Sequence, residues 1–203
     1  MKKRRNFDAD SMMKYLLTAG LLMIIMAFFI PGFVVILIQD LLFFSADHWS
    51  FIRPMDAFLA FGAGMVIIGL TLISFLFTKL YAEKKRRAYK LTGVHILLII
   101  LTLPLFVFSV YHYAYLNEDG AQANSFWTLS EESIAWEEVE EVTRIVDEES
   151  LRVYSYTFSS DAGEVTIPYD PTDRETVRAI GFVVDSYGWE LNDVFGTEED
   201  VPF

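Results

Sequence analysis

Lys79-Leu80-Tyr81-Ala82-Glu83-Lys84-Lys85-Arg86-Arg87-Ala88-Tyr89-Lys90 decides how the rest of this chain is read. It is a short basic stretch between two long apolar runs. Before it, Ala57 to Thr78 carries no charged side chain, and after it the same holds from Leu91 to Val110. The earlier run alone gives a helix of about 33 Å, enough to cross a bilayer. The basic stretch therefore reads as a cytoplasmic turn at 79–90, joining spans at about 55–78 and 91–113. Lys84, Lys85, Arg86 and Arg87 are its topology anchor and its contact with anionic lipid.

Working outward, a further apolar run lies upstream. Tyr15 to Ile38 is uncharged over 24 residues, or about 36 Å as helix. The basic cluster Lys2-Lys3-Arg4-Arg5 before it resembles the start of a signal peptide. The run is too long for one, and it contains no small-residue cleavage site. It is read as a retained first span, about 15–38, kinked at Pro31-Gly32 because Pro31 leaves the Ala27 carbonyl without a donor. Gln39 and Asp40 mark its exit from hydrocarbon. Residues 45–54 form a short loop, with Trp49 suited to the headgroup level. In the second span, Ala57, Ala60 and Gly64 share one helix face. Small residues there let another helix approach closely, from this chain or from a second copy. Pro104 marks a second kink, and Tyr111 to Tyr115 reads as an interfacial aromatic belt.

Orientation follows from charge. Eleven Lys and Arg fall on the side of the N-terminus and the 79–90 turn; the other side has Arg53, and no Lys or Arg occurs from Asn117 to Val142. That places the N-terminus, 1–14, in the cytoplasm and residues beyond 116 outside the cytoplasmic membrane. The net charge of −12 divides unevenly, with +6 on residues 1–116 and −18 on residues 117–203. Two regions in two environments are implied: a three-helix membrane region, 15–116, and an acidic outer α+β domain, 117–192, with an acidic tail at 193–203. A hydrophobic content of 53% agrees with membrane spans.

Within the outer part, Ser125–Leu129 is aromatic-rich and strand-like. Ser130–Ser133 is a polar turn. Trp136, Val139 and Val142 at three-residue spacing suggest a helical turn that runs into a strand over 142–146. Leu151–Phe158 and Glu164–Tyr169 alternate as paired strands, with a loop at 159–163 in which Gly163 supplies a positive φ. An amphipathic helix follows to about Tyr187, its apolar face made by Val177, Ile180, Val184 and Tyr187. It is capped either by Thr172 with Glu175 or by Asp170 with Pro171.

The stretch Ile134-x-Trp136-Glu137-x-Val139-x-x-Val142, followed by a hairpin and one C-terminal helix, resembles the bacterial PH-like domains that follow transmembrane helices in small membrane proteins. The resemblance covers 124–190. It implies an antiparallel sheet capped by the helix. About four or five strands are legible, where the full fold has seven, so an incomplete barrel is expected. The family supplies no shared activity and no functional residue.

Nothing in the sequence points to catalysis. Cysteine is absent, which excludes disulfides, Cys-ligated metals and a thiol nucleophile. No phosphate-binding, hydrolase or metalloprotease motif occurs. The region after residue 116 has no histidine. His95 and His112, roughly 25 Å apart along a helix, cannot share a metal and are assigned no role. The glutamate pairs are a solvated acidic face, and such a face repels nucleic acid. The expectation is a non-enzymatic, multi-pass membrane protein without cofactor or metal. Its acidic outer domain binds a protein partner or an envelope component. The alternative is a subunit of a transport or sensing complex that acts through oligomerised helices.

Overall fold

The computed structural model describes residues 9–197 and 200–203, with side chains from Met13 onward. The basic cluster Lys2–Arg5 and the pair Glu198-Glu199 lie outside the described residues. The chain forms two compact units. One comprises the residues up to Val35 together with Phe58–Val107, and the other comprises Ile36–Ala57 with Phe108–Phe203.

The helical part is built from α1 (Ala9–Met26), α2 (Ile30–Leu42), α3 (Met55–Lys84) and α4 (Thr92–Tyr111). Two of these, α3 and α4, are long and apolar enough to cross a membrane, and a third crossing results if α1 and α2 count as one span. Those two are bent by 70°. The break falls at residues 27–29, upstream of the expected kink. Pro31 is the second residue of α2, where a missing N–H costs nothing, so the chain breaks before the ring instead of bending around it.

Packing in the helical unit is set by glycines on α3. A Cβ on Gly69 would lie 2.7 Å from the Gly20 carbonyl of α1, and one on Gly20 would lie 2.8 Å from the Gly69 carbonyl. Gly62, seven residues before Gly69 and so on the same face, would meet the Ala27 carbonyl at 2.9 Å. The two backbones cross at a separation that only hydrogen at Cα allows. Gly64 faces the other way, and Phe106 of α4 fills the space beside it at 2.8 Å. At the far end of α3, His95 bonds Ser74, Tyr89 and the Leu91 carbonyl.

The α+β unit contains two four-stranded sheets. The first has order β1-β2-β3-β4, from β1 (Ser50–Ile52), β2 (Tyr113–Leu116), β3 (Gly120–Asn124) and β4 (Glu132–Ala135), all antiparallel. The second has order β7-β6-β5-β8, from β5 (Glu141–Val146), β6 (Val153–Ser160), β7 (Gly163–Pro168) and β8 (Leu191–Phe195); β8 runs parallel to β5. Helix α5 (Arg174–Tyr187) lies between β7 and β8 in sequence.

Several expectations change. The loop 45–54 contributes β1. The Tyr111–Tyr115 belt is instead the end of α4 and strand β2, with Tyr113 buried and stacked on Phe43 and Phe51. The third span ends at Tyr111, two residues before the expected 113. Ser125–Leu129 is irregular, and the strands flank it on both sides. Asn117–Gly120 is the β2–β3 turn: the Asn117 side-chain oxygen accepts from Asp119 and Gly120. Gly120 is obligatory here, because a Cβ would sit 2.0 Å from the Ile134 carbonyl. Gly163 does not take a positive φ; the β6–β7 loop is only Asp161-Ala162. The sheets contain eight strands, and β8 takes Asp193–Phe195 out of the expected tail.

Trp136, Val139 and Val142 are all buried in one core with Phe158, Ile167 and Ile180. The Trp136 indole donates to the Asn117 carbonyl at 2.9 Å. Burying each large apolar side chain contributes roughly 1.5–3 kcal/mol. Helix α5 presents Thr176, Ala179, Ile180 and Val183 to this core, a face turned from the expected one; Tyr187 is exposed and stacks on Trp189. Thr176 causes the difference. Its hydroxyl donates to Asp173 at 2.5 Å and accepts from Ser50 of β1 at 2.5 Å, so a polar residue occupies the core side. The cap is Asp173, which accepts from Glu175 and Thr176.

Candidate functional site

The α+β unit has a cleft of about 340 Å³. Four segments far apart in sequence build its wall: the β1–α3 turn with Arg53 and Asp56, the residue after α4, the start of β6 with Arg152 and Tyr154, and the β7–α5 loop with Tyr169, Asp170 and Asp173. Val201 and Phe203 complete it.

His112 is its central group. Gln39 fixes the chain there. Its buried amide donates to the carbonyls of Val110 at 3.1 Å and His112 at 3.0 Å, closing the C-terminus of α4. His112 is 1% exposed. Its Nδ1 lies 3.0 Å from the Asn124 carbonyl. A carbonyl can only accept, so Nδ1 carries the hydrogen and Nε2 presents a lone pair. That Nε2 meets no hydrogen-bond partner among the described residues. Burial lowers the His112 pKa below the ordinary histidine value, against opposing pulls from the Asn124 bond and the Asp56 carboxylate.

The charged groups around it are mostly committed. Arg53 pairs with Asp40 and lies over the Phe51 ring at 4.6 Å, yet its Nε is buried and also unpartnered among the described residues. The Arg152 guanidinium lies over Tyr154 at 5.5 Å. Asp173 caps α5. Asp170 accepts from the Thr172 N–H, which holds its carboxyl below the usual range. The cleft therefore offers one acceptor and one donor, both desolvated, within an aromatic and aspartate-rimmed wall. Such a site suits binding: an unmet buried polar atom costs free energy that a ligand's hydrogen bond recovers. No group of three His, Asp or Glu among the described residues is placed to hold a metal ion.

The residues singled out in the sequence lie elsewhere. Lys84 ends α3, and Lys85, Arg86 and Arg87 follow it, all exposed. Arg86 has φ 52°, and the Arg86 and Arg87 N–H groups donate to the Glu83 and Ala82 carbonyls. These are the paired bonds of a Schellman helix end, with Arg86 where glycine is favoured. Ala57 is buried at the start of α3, Ala60 is half-buried, and Gly64 packs on Phe106. His112 and Arg53 escaped the sequence reading, one taken for an interfacial residue and the other for a topology marker. Only their shared position beside an aspartate-rich loop unites them, and no spacing encodes it. Compared with family models, curated proteins and solved structures, the chain matches none.

Proposed function

We propose that this chain is a non-enzymatic, multi-pass protein of the cytoplasmic membrane. It holds an acidic, PH-like domain on the outer side, where the His112 cleft binds a protein partner or an envelope component. The observation that carries this reading is the desolvated Nε2 of His112, without a hydrogen-bond partner among the described residues, in a cleft whose described lining has no Ser, Thr, Cys or Lys.

Two further features support it. Strand β1 ends just before α3 and β2 begins just after α4, and the two strands pair from Ser50↔Leu116 to Ile52↔Ala114. Two apolar helices thus separate the paired strands in sequence, with Lys84–Arg87 at the turn between the helices; the positive-inside rule assigns that turn to the cytoplasm. The strand order also suits a PH-like domain: a four-strand meander, a three-strand meander and a closing helix. This chain departs from that plan by inserting α3–α4 after β1 and by adding β8. A transport or sensing role through oligomerised helices draws less support, because Gly20, Gly62, Gly64 and Gly69 already pack within one chain.

The natural absence of cysteine makes a clean test. Ser160→Cys should react with a membrane-impermeant maleimide in intact cells, and Ala88→Cys only after the membrane is opened. The reverse pattern removes the proposed orientation. A photo-crosslinking residue at Tyr169 should capture a defined partner that the same residue at Glu148 does not. Equal capture at both positions removes the binding role from the cleft.

A further inference from the structure

The cleft is not empty of protein. After β8, Thr197 and Asp200 bond each other: the Thr197 N–H and hydroxyl donate to the Asp200 carboxylate at 2.8 and 2.9 Å. The Asp200 N–H returns to the Thr197 carbonyl at 3.1 Å. Beyond Asp200, Val201 and Phe203 line the cleft. The Phe203 ring lies 4.7 Å from the His112 ring, tilted by 37°, and packs against the domain core. The Phe203 N–H bonds the Val201 carbonyl, within the segment itself. The Phe203 ring thus joins this side of the cleft wall to the domain core. Beneath that ring, His112 Nε2 keeps its lone pair buried and unused.

We propose that the His112 cleft is a binding site for an extended peptide segment bearing an aromatic residue, and that Val201–Phe203 occupies it in cis until such a segment displaces it. This rests on the binding role given above and names its ligand class. The chemistry of the occupant argues for it. An aromatic side chain stacks on a neutral imidazole, and an incoming N–H or O–H donates to Nε2, a bond the tail does not make. A partner that supplies both therefore outcompetes a tail that supplies one. A tethered occupant lowers the apparent affinity for the partner by the fraction of time the site stays closed.

The test uses the full chain in nanodiscs and a fluorescent peptide with the sequence of residues 196–203. Phe203→Ala should bind this peptide about tenfold more tightly than the unaltered chain, because the internal competitor is gone. A peptide with alanine in place of its phenylalanine should lose binding. To Phe203→Ala, His112→Phe should restore the aromatic wall without the acceptor. That double variant should bind a peptide with a donor group beside its aromatic ring no better than the plain peptide, while Phe203→Ala alone should prefer the donor-bearing one. Thermal melts confirm that each variant is folded. Should the double variant fail to fold, the imidazole resonance of His112 in Phe203→Ala, shifting on peptide addition, reports the same contact. Equal affinity of the unaltered and Phe203→Ala chains, or no peptide binding by folded Phe203→Ala, overturns the proposal. A partner captured at Tyr169 without peptide binding sinks this inference alone. Peptide binding with no specific partner at Tyr169 sinks the cellular binding role and leaves the internal closure standing.

Discussion

His95 lies in the first turn of α4 and His112 just after its end, and they differ in what their nitrogens meet. His95 is 6% exposed and His112 1%. In the helical unit, His95 Nδ1 reaches Tyr89 and the Leu91 carbonyl while Nε2 reaches Ser74 at 3.3 Å. In the α+β unit, His112 Nδ1 meets the Asn124 carbonyl, and Nε2 has no hydrogen-bond partner among the described residues. A fully satisfied buried histidine is a structural clamp. A half-satisfied one holds unspent hydrogen-bonding capacity, which a structure keeps only where something else contributes. The two units divide along the same line. One packs through glycine crossings, and the other keeps an acceptor without a partner among the described residues beside the Phe203 ring.

The largest effect that would sharpen this contrast is at Gln39. Gln39→Leu strips the end of α4 of its cap and leaves the Val110 and His112 carbonyls unpaired, at a cost of about 3 kcal/mol. Denaturant unfolding of the purified chain measures it, and a loss below about 1 kcal/mol would mean that the cap is dispensable. His95→Phe should cost about 2 kcal/mol, since the Tyr89 and Ser74 hydroxyls lose a buried partner. His112→Phe should cost about 1 kcal/mol or less, as only the Asn124 carbonyl is left. If His112→Phe proved the more damaging, the division between clamp and open site would collapse.

Acid should act through His112. Its pKa is lowered in the fold, so the unfolded chain binds the proton first. Stability is complete above the ordinary histidine value of 6.5 and is lost as the pH falls from there toward the folded value. His48, also lowered by burial, works in the same direction. Melting temperature at pH 7.5 and 5.5 should therefore drop on acidification, and His112→Phe should shrink that drop. The smallest effect is at the basic turn. Arg86→Gly removes the left-handed strain of a side chain and should stabilise the helix end by about 0.5 kcal/mol, with the freed backbone of the unfolded chain offsetting part of the gain.

Much of the fold was legible because its periodicity is strong. The α3 and α4 runs, the β6–β7 alternation around Tyr156, Phe158, Val165 and Ile167, and the extent of α5 all follow from hydrophobic pattern. Strand β1 was not legible: three residues carry no period, and its pairing partner lies beyond two helices. Strand β8 reads as acidic tail because its exposed side chains hide its backbone pairing with β5. The face of α5 was misread because Thr176 is polar yet buried by two short hydrogen bonds. The cleft was the least legible of all. Arg53, His112, Arg152, Asp173 and Phe203 are brought together by topology alone, and each by itself looks ordinary.

The pairing of β1 with β2 also sets an order of assembly. Ile52 and Tyr113 are separated by the whole of α3 and α4, so the first sheet cannot close until both helices have been synthesised. The pairing of two strands so far apart in sequence carries a loop-closure cost that the intervening helices shape. A soluble fragment cut after α4 would lack β1, expose the open edge of β2 and strand Thr176 without Ser50. An open strand edge of that kind favours pairing with copies of itself.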